Sequence, residues 1–256
     1  MGRICTSMVN NALSRDEFAV HYQPQIDTRY NRFSGFEALL RWVHPKIGNI
    51  NPHLVLSVVD RTDAMIRIGD WIMQSACCQN RIWHDEFNLS IPVSVNVSPY
   101  QLENSNILHS VVSALKATGL QPQFLEIEIT ETAAIRNIKA VAETLVALKN
   151  VGVKIAIDDF GIEYASLGYI KDLPIDIVKI DKCFIDEIGC NPKAEAILVT
   201  MVSLANNLGI QLIAEGVETK EQLSFLTSIG CDVIQGFYFY RPMPADAVSK
   251  ILRKLS

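Results

Sequence analysis

The sequence predicts one TIM-type (β/α)8 barrel, modified by a single antiparallel strand near the amino terminus. Three observations carry that reading. Extended apolar runs alternate with amphipathic stretches along nearly the whole chain, as a β/α repeat requires. No Pro/Gly/Ser-rich linker, charge block or low-complexity tract divides the 256 residues, a length that fits one barrel better than two small domains. Acidic and amide residues recur at the carboxyl ends of the apolar runs, the end at which barrel chemistry is assembled.

Residues 1–15 read as an amino-terminal extension and 16–256 as the domain. The stretch FAVHYQPQIDTRYNRFSGFEALLRW gives two strands, 20–26 and 36–40, joined by a polar turn with no room for a helix. Such a hairpin makes one strand run antiparallel or sit outside the ring. Six further strands are expected at 93–97, 125–129, 153–157, 175–180, 211–214 and 233–235. Helices are expected at 69–83, 107–118, 139–151, 194–208 and 220–229. Gly119, Gly152, Gly209 and Gly230 stand at helix ends, where a left-handed cap favours glycine.

Composition narrows the function. A net charge of −5 argues against a nucleic-acid polymer as ligand but not against a small nucleotide. No apolar run is long enough to span a membrane, and the opening residues lack the apolar core of a secretory signal. None of the six cysteines forms a C-x-x-C pair, so structural zinc is not indicated. Reduced thiols in the cytoplasm are the expectation.

Glu37, Asn96, Glu128, Asp158, Asp159 and Glu215 all follow β-like runs. A carboxylate at the edge of a buried strand is costly unless a cation or hydrogen-bond donor compensates it, so the set suggests one shared cation site. Taken singly, each acid has a plainer reading as a solvated charge or a helix cap. Lys179, likewise, could simply pair with Asp176 or Asp181.

The motifs EALLRW at Glu37, YQP at Tyr22, NVSPYQL at Asn96, EITE at Glu128, DDFG at Asp158, IDIVKID at Ile175, AEGVE at Ala214 and QGFYFYRPMP at Gln235 cover almost the whole chain. In type and order they resemble the EAL family of cyclic di-GMP phosphodiesterases. The resemblance implies metal-dependent hydrolysis of cyclic di-GMP to linear pGpG, with two Mg²⁺ or Mn²⁺ ions and a homodimer. It implies Glu37, Asn96, Glu128 and Asp158 as ligands of a first ion. Asp158 would bridge to a second ion that Asp159 also touches, with Glu215, Lys179 and Asp159 catalytic. Gln23, Leu39, Arg41 and Pro242 would meet the nucleotide, although leucine and proline are also ordinary core and turn residues. Glu131 would anchor the loop after the double aspartate, Gln235 would orient a water or the second ion's shell, and Glu218 would be a second acid of AEGVE or merely a helix-start charge.

The chain departs from the family pattern in two places. Where active members usually read DDFGTGYSSL, it reads DDFGIEYASL, so Ile162 and Glu163 replace a small hydroxyl residue and a glycine. A glutamate at a left-handed glycine position is strained by roughly 1–2 kcal/mol. In NPHLVLSVVDRTDAMIRIG, Ser57 replaces a proline and Asp63 a glycine, beside the expected nucleotide site. A second reading therefore stands beside the enzyme: a weak or inactive domain that acts as a cyclic di-GMP receptor or a protein-interaction regulator. An unrelated metal-dependent barrel of the aldolase or enolase kind has no motif in its favour.

Overall fold

The computed structural model of the chain describes residues 4–104, 106–162 and 167–255. Ten strands form one sheet: β1 (Phe18–Asp27), β2 (Arg32–His44), β3 (Gly48–Ile50), β4 (Val93–Asn96), β5 (Leu125–Thr130), β6 (Lys154–Phe160), β7 (Ile177–Ile180), β8 (Gln211–Ala214), β9 (Val233–Ile234) and β10 (Met243–Pro244). Eight of them close a ring in the order β1, β2, β4, β5, β6, β7, β8, β9. All neighbours from β2 to β9 are parallel, whereas β1 is antiparallel to both β2 and β9. The cause is local: only residues 28–31 separate β1 from β2, and that length permits a hairpin but no crossover helix. The hairpin strand thus lies within the ring, and β3 and β10 extend it at the outside.

The expected elements appear, most of them with shifted ends. The helix expected at 107–118 spans Ile107–Thr118, and the one expected at 69–83 extends over Asp63–Phe87. Gly119, Gly152 and Gly209 each take the left-handed C-cap conformation. Thr6–Ser14, within the expected extension, is a helix that buries Val9 and Ala12. Its nine residues are too few for a periodicity signal to stand out.

The main core lies between the outer face of the barrel and the helices. Trp83 of the helix Asp63–Phe87 packs its ring 4.8 Å from Tyr22 of β1 and 4.7 Å from Phe36 of β2. Its indole N–H donates to Ser249 of the helix Ala245–Leu255, so one side chain ties the hairpin to that helix. A second, separate cluster of Ala156, Ile177, Ile213 and Val233 lies on β6 to β9. Each of these residues stands two positions before a polar residue: Asp158, Lys179, Glu215 and Gln235. Because strand side chains alternate faces with period two, the apolar cluster forms the lower layer of the barrel interior and the polar set the upper.

Candidate functional site

Every ring strand contributes one polar side chain to the upper layer: Gln23, Glu37, Asn96, Glu128, Asp158, Lys179, Glu215 and Gln235. On β4 to β9 this is the carboxyl end, and on the longer β2 it is mid-strand. On antiparallel β1 it is the middle of the strand, where Gln23 pairs with Glu37 in register. Two consecutive residues of a regular strand point to opposite faces, so Asp158 and Asp159 could not both reach one site. The pairing of β6 with β7 slips between Ile157 and Phe160, and Asp159 takes a left-handed backbone (φ 56°) there. This irregularity breaks the alternation and lets the Asp158 and Asp159 charges act on one another.

Lys179 sits at the centre with no exposure to solvent. Its ammonium lies 2.7 Å from Glu215, 2.9 Å from Glu128, 3.3 Å from Asp158 and 3.5 Å from Glu37. Asp176 instead receives the Lys149 ammonium and the Ile155 N–H, and Asp181 caps the helix Lys182–Asp186 through the Cys183 N–H. Asn96 donates to Glu37 Oε1 at 2.7 Å, and Gln235 donates to Glu37 Oε2. Gln235 also receives a bond from Gln25 at 3.0 Å and donates to Gln23 at 3.3 Å. Gln23 is therefore engaged at both ends of its amide, since its nitrogen donates to the Tyr240 carbonyl at 3.1 Å.

Four carboxylates thus face one ammonium, and the imbalance sets the protonation of the group. Burial opposes the Lys179 charge, but Asp158, Glu128, Glu215 and Glu37 outweigh it and hold the ammonium protonated well above the usual lysine range. Burial also opposes ionisation of Glu37, yet Lys179, Gln235 and Asn96 keep its carboxyl below the usual range. Burial raises Glu128 well above its ordinary value, and the surrounding carboxylates add to the rise. Burial, with Asp158 and Glu37, pushes Glu215 up to about 8 against the pull of Lys179. Burial, Asp158 and Asp181 push Asp159 up to about 6. Among the described residues, Glu128 Oε1 and Asp158 Oδ1 are buried without a hydrogen-bond partner, Asp158 Oδ1 having only the ion-pair approach of Lys179. Buried anionic oxygens left without donors suit a bound cation.

The remaining predicted residues lie around this centre. Glu131, buried at the start of the helix Glu131–Arg136, accepts the Gly161 N–H at 2.9 Å. A Cβ on Gly161 (φ 96°) would stand 2.5 Å from Met201 and 2.8 Å from Phe184, so glycine is required there on two counts. Ile162 is half exposed, and Glu163 falls outside the described residues. Glu218 pairs with Lys182 at 2.9 Å and is separate from the Lys179 cluster in its contacts. Leu39, Arg41 and Pro242 are partly buried, with Arg41 donating to the Leu40 carbonyl. Asp181 is the residue that sequence reasoning underrated. It ends a strand as the other acids do, and its charge helps to raise Asp159.

A family model for the EAL domain matches residues 6–242. The chain belongs to the EAL domain family. It is 40% identical over 238 residues to the bifunctional diguanylate cyclase/cyclic di-GMP phosphodiesterase MucR of Pseudomonas aeruginosa, covering 93% of this chain and 35% of MucR. In general it spans about a third of the length of the curated relatives it matches. The solved MucR phosphodiesterase in complex with c-di-GMP superposes with a TM-score of 0.91 at 39% identity, over 94% of this chain and 98% of the other. The calcium/cyclic di-GMP complex of BlrP1 from Klebsiella pneumoniae gives a TM-score of 0.79 at 29% identity, over 89% and 56%. The EAL fold, a barrel closed by eight strands with helices outside, is therefore the fold of this chain.

Proposed function

We propose that this EAL domain hydrolyses one phosphodiester of cyclic di-GMP to give linear pGpG, in a reaction that needs Mg²⁺ or Mn²⁺. The observation that carries the proposal is the upper layer itself, with four carboxylates around one buried ammonium and two carboxylate oxygens left without donors. Glu37, Asn96, Glu128 and Asp158 would hold a first ion, and Asp158 and Asp159 a second. Such ions, when bound, neutralise a phosphodiester and make water a nucleophile near neutral pH.

The chain's own groups do the rest in this reading. Glu215, with its carboxyl up at about 8, accepts or holds a proton from water near neutral pH. Lys179 keeps a fixed positive charge beside the reacting phosphate and orients the Glu128 and Glu215 carboxylates. Gln235 fixes Glu37, Glu131 holds the turn at Gly161 through its N–H, and Arg41 grips phosphate through its planar donors. Gln23, Leu39 and Pro242 bound the nucleotide, and Glu218 braces the turn after Glu215 through Lys182.

Among the described residues, no helix is long and apolar enough to cross a membrane. We place the reaction in the cytoplasm, with a homodimer as the working state. The chain gives a second reading some support at Ile162, whose half-exposed apolar side chain stands where a small hydroxyl residue is expected. That reading is a receptor that holds the dinucleotide without cutting it.

Chromatography of the nucleotide after incubation with Mn²⁺ separates the two. Formation of pGpG supports the enzyme, and tight calorimetric binding with intact substrate supports the receptor. Independently of turnover, Mn²⁺ should raise the melting midpoint of the wild-type protein and leave Glu37→Ala unmoved.

A further inference from the structure

The mouth of the barrel holds a polar side chain, His21, that the roles above do not use. On β1, Val20 and Tyr22 point outward, lining a groove beside Trp71 of the helix Asp63–Phe87, and Tyr22 meets Trp83 on that face. By strand alternation Ala19, His21 and Gln23 face the interior, and Gln23 is found there, bonded to Gln235. The register with β2 sets Gln23 opposite Glu37, His21 opposite Leu39 and Ala19 opposite Arg41. His21 therefore stands one layer nearer solvent than the ion cluster, level with Leu39, and the Pro242 carbonyl lies beside its ring. Three of the four residues assigned above to the nucleotide thus surround a half-buried imidazole.

We propose that His21 is a further ligand-binding residue, which pairs with Arg41 to grip a phosphate of the cyclic dinucleotide and takes up a proton as that anion arrives. The inference rests on the functional reading above.

The surroundings of the ring are consistent with a group neutral in the free protein. Burial and then the Arg41 charge lower its proton affinity, while the Pro242 carbonyl works the other way. β2 brings Arg41 one layer further out than His21 and the Glu37 carboxylate one layer deeper. β10 brings Met243 and Pro244, neither of which titrates. β9 meets β1 only at Ile26 and Asp27, at the far end, and the helices Asp63–Phe87 and Ala245–Leu255 cover the outer face. A phosphate placed between His21 and Arg41 would remove the repulsion that keeps His21 neutral and would favour the imidazolium. Affinity should then increase as pH falls, by up to about tenfold per pH unit while one proton is taken up per ligand.

The test is titration calorimetry of cyclic di-GMP into the calcium-loaded protein between about pH 6 and 8, in paired buffers of different ionisation enthalpy. Asp159 and Glu215 also titrate in this range, so the reading is the difference between wild type and variant. His21→Gln should bind several-fold more weakly near pH 6, with less proton uptake than wild type. His21→Lys, whose charge is permanent, should keep the affinity and flatten its pH slope. His21→Gln with wild-type affinity and wild-type proton uptake overturns the inference while leaving the functional reading intact. A wild-type protein that neither binds nor cleaves the dinucleotide overturns that reading, and this inference with it.

Discussion

The upper and lower layers of the barrel interior are built on the same eight strands, two residues apart, and they obey opposite rules. Below, Ala156, Ile177, Ile213 and Val233 pack an apolar plug, and the remaining strands add Gln25, Ser94 and Glu126. Two of the polar members are accommodated: Gln25 bonds to Gln235, with Gly35 lacking the Cβ that would stand 2.7 Å from Gln25, and Lys154 approaches Glu126 at 3.5 Å, whereas the neutral Ser94 hydroxyl has no hydrogen-bond partner among the described residues. Above, like charges are crowded around Lys179 and two oxygens lack donors. The difference teaches that the lower layer is arranged for stability and the upper is held against its own electrostatic preference. Strain of that kind concentrates at sites that bind or react.

The contrast can be broken most decisively at Glu215. Glu215→Ala should lower pGpG formation by about 10²–10⁴-fold. Because it removes a crowded carboxyl, its melting midpoint should stay level or rise, as measured by calorimetry. A variant that loses activity only by unfolding would refute the separation of roles.

Lys179→Met should show the reverse within the same layer. Removing the ammonium they share leaves several buried carboxylates uncompensated, at a cost of about 3–5 kcal/mol in denaturant unfolding of the metal-free protein. A loss below about 1 kcal/mol would mean that the cluster escapes by protonation or by admitting water.

In the lower layer, Ile213→Ala opens a cavity and should cost about 2–4 kcal/mol by the same unfolding measurement. A smaller loss would indicate that the plug collapses around the gap.

The smallest effect is expected from Asp159→Asn, which keeps the left-handed backbone that asparagine tolerates. The Asp159 carboxyl, up at about 6, lies above its ordinary value near 4, so its ionisation weakens the fold. Its stabilising share is complete below about pH 4 and is lost as pH rises through about 6. The variant should therefore melt slightly higher than wild type at pH 7.5 without metal, with the gap closing toward pH 4. A gap that widens on acidification would reverse the sign of that coupling.

Much of this architecture was legible in the sequence, and for physical reasons. Runs such as LEIEIT and KIAIDD alternate or persist long enough to mark strands, and the polar turn between the runs at 20–26 and 36–40 leaves no room for a helix, which points to a hairpin. The upper layer was legible because a charged residue ending an apolar run is expensive, and five such residues coincide with Asn96. Short helices such as Glu131–Arg136 and Lys182–Asp186 left no periodic trace, since five or six residues make less than two turns. The bulge at Asp159 was also hidden. Two adjacent aspartates say nothing about which face each takes until the register of β7 against β6 is known. His21 was missed because its significance comes from Leu39, Arg41 and Pro242, brought together by pairing rather than by spacing.

The antiparallel strand has a further consequence, for the order in which the molecule can be made. The β1–β2 hairpin is local and can form while the rest of the chain is still being synthesised. The ring, however, closes only when Ile26 and Asp27 pair with Ile234 and Val233. The bonds that steady Glu37 cross the same seam: Gln25 to Gln235 spans 210 residues and Gln235 to Glu37 spans 198. The polar mouth is thus completed last, by contacts of the slowest kind. Glu37 precedes Gln235 by 198 residues, so during synthesis it leaves the ribosome well before that restraining partner.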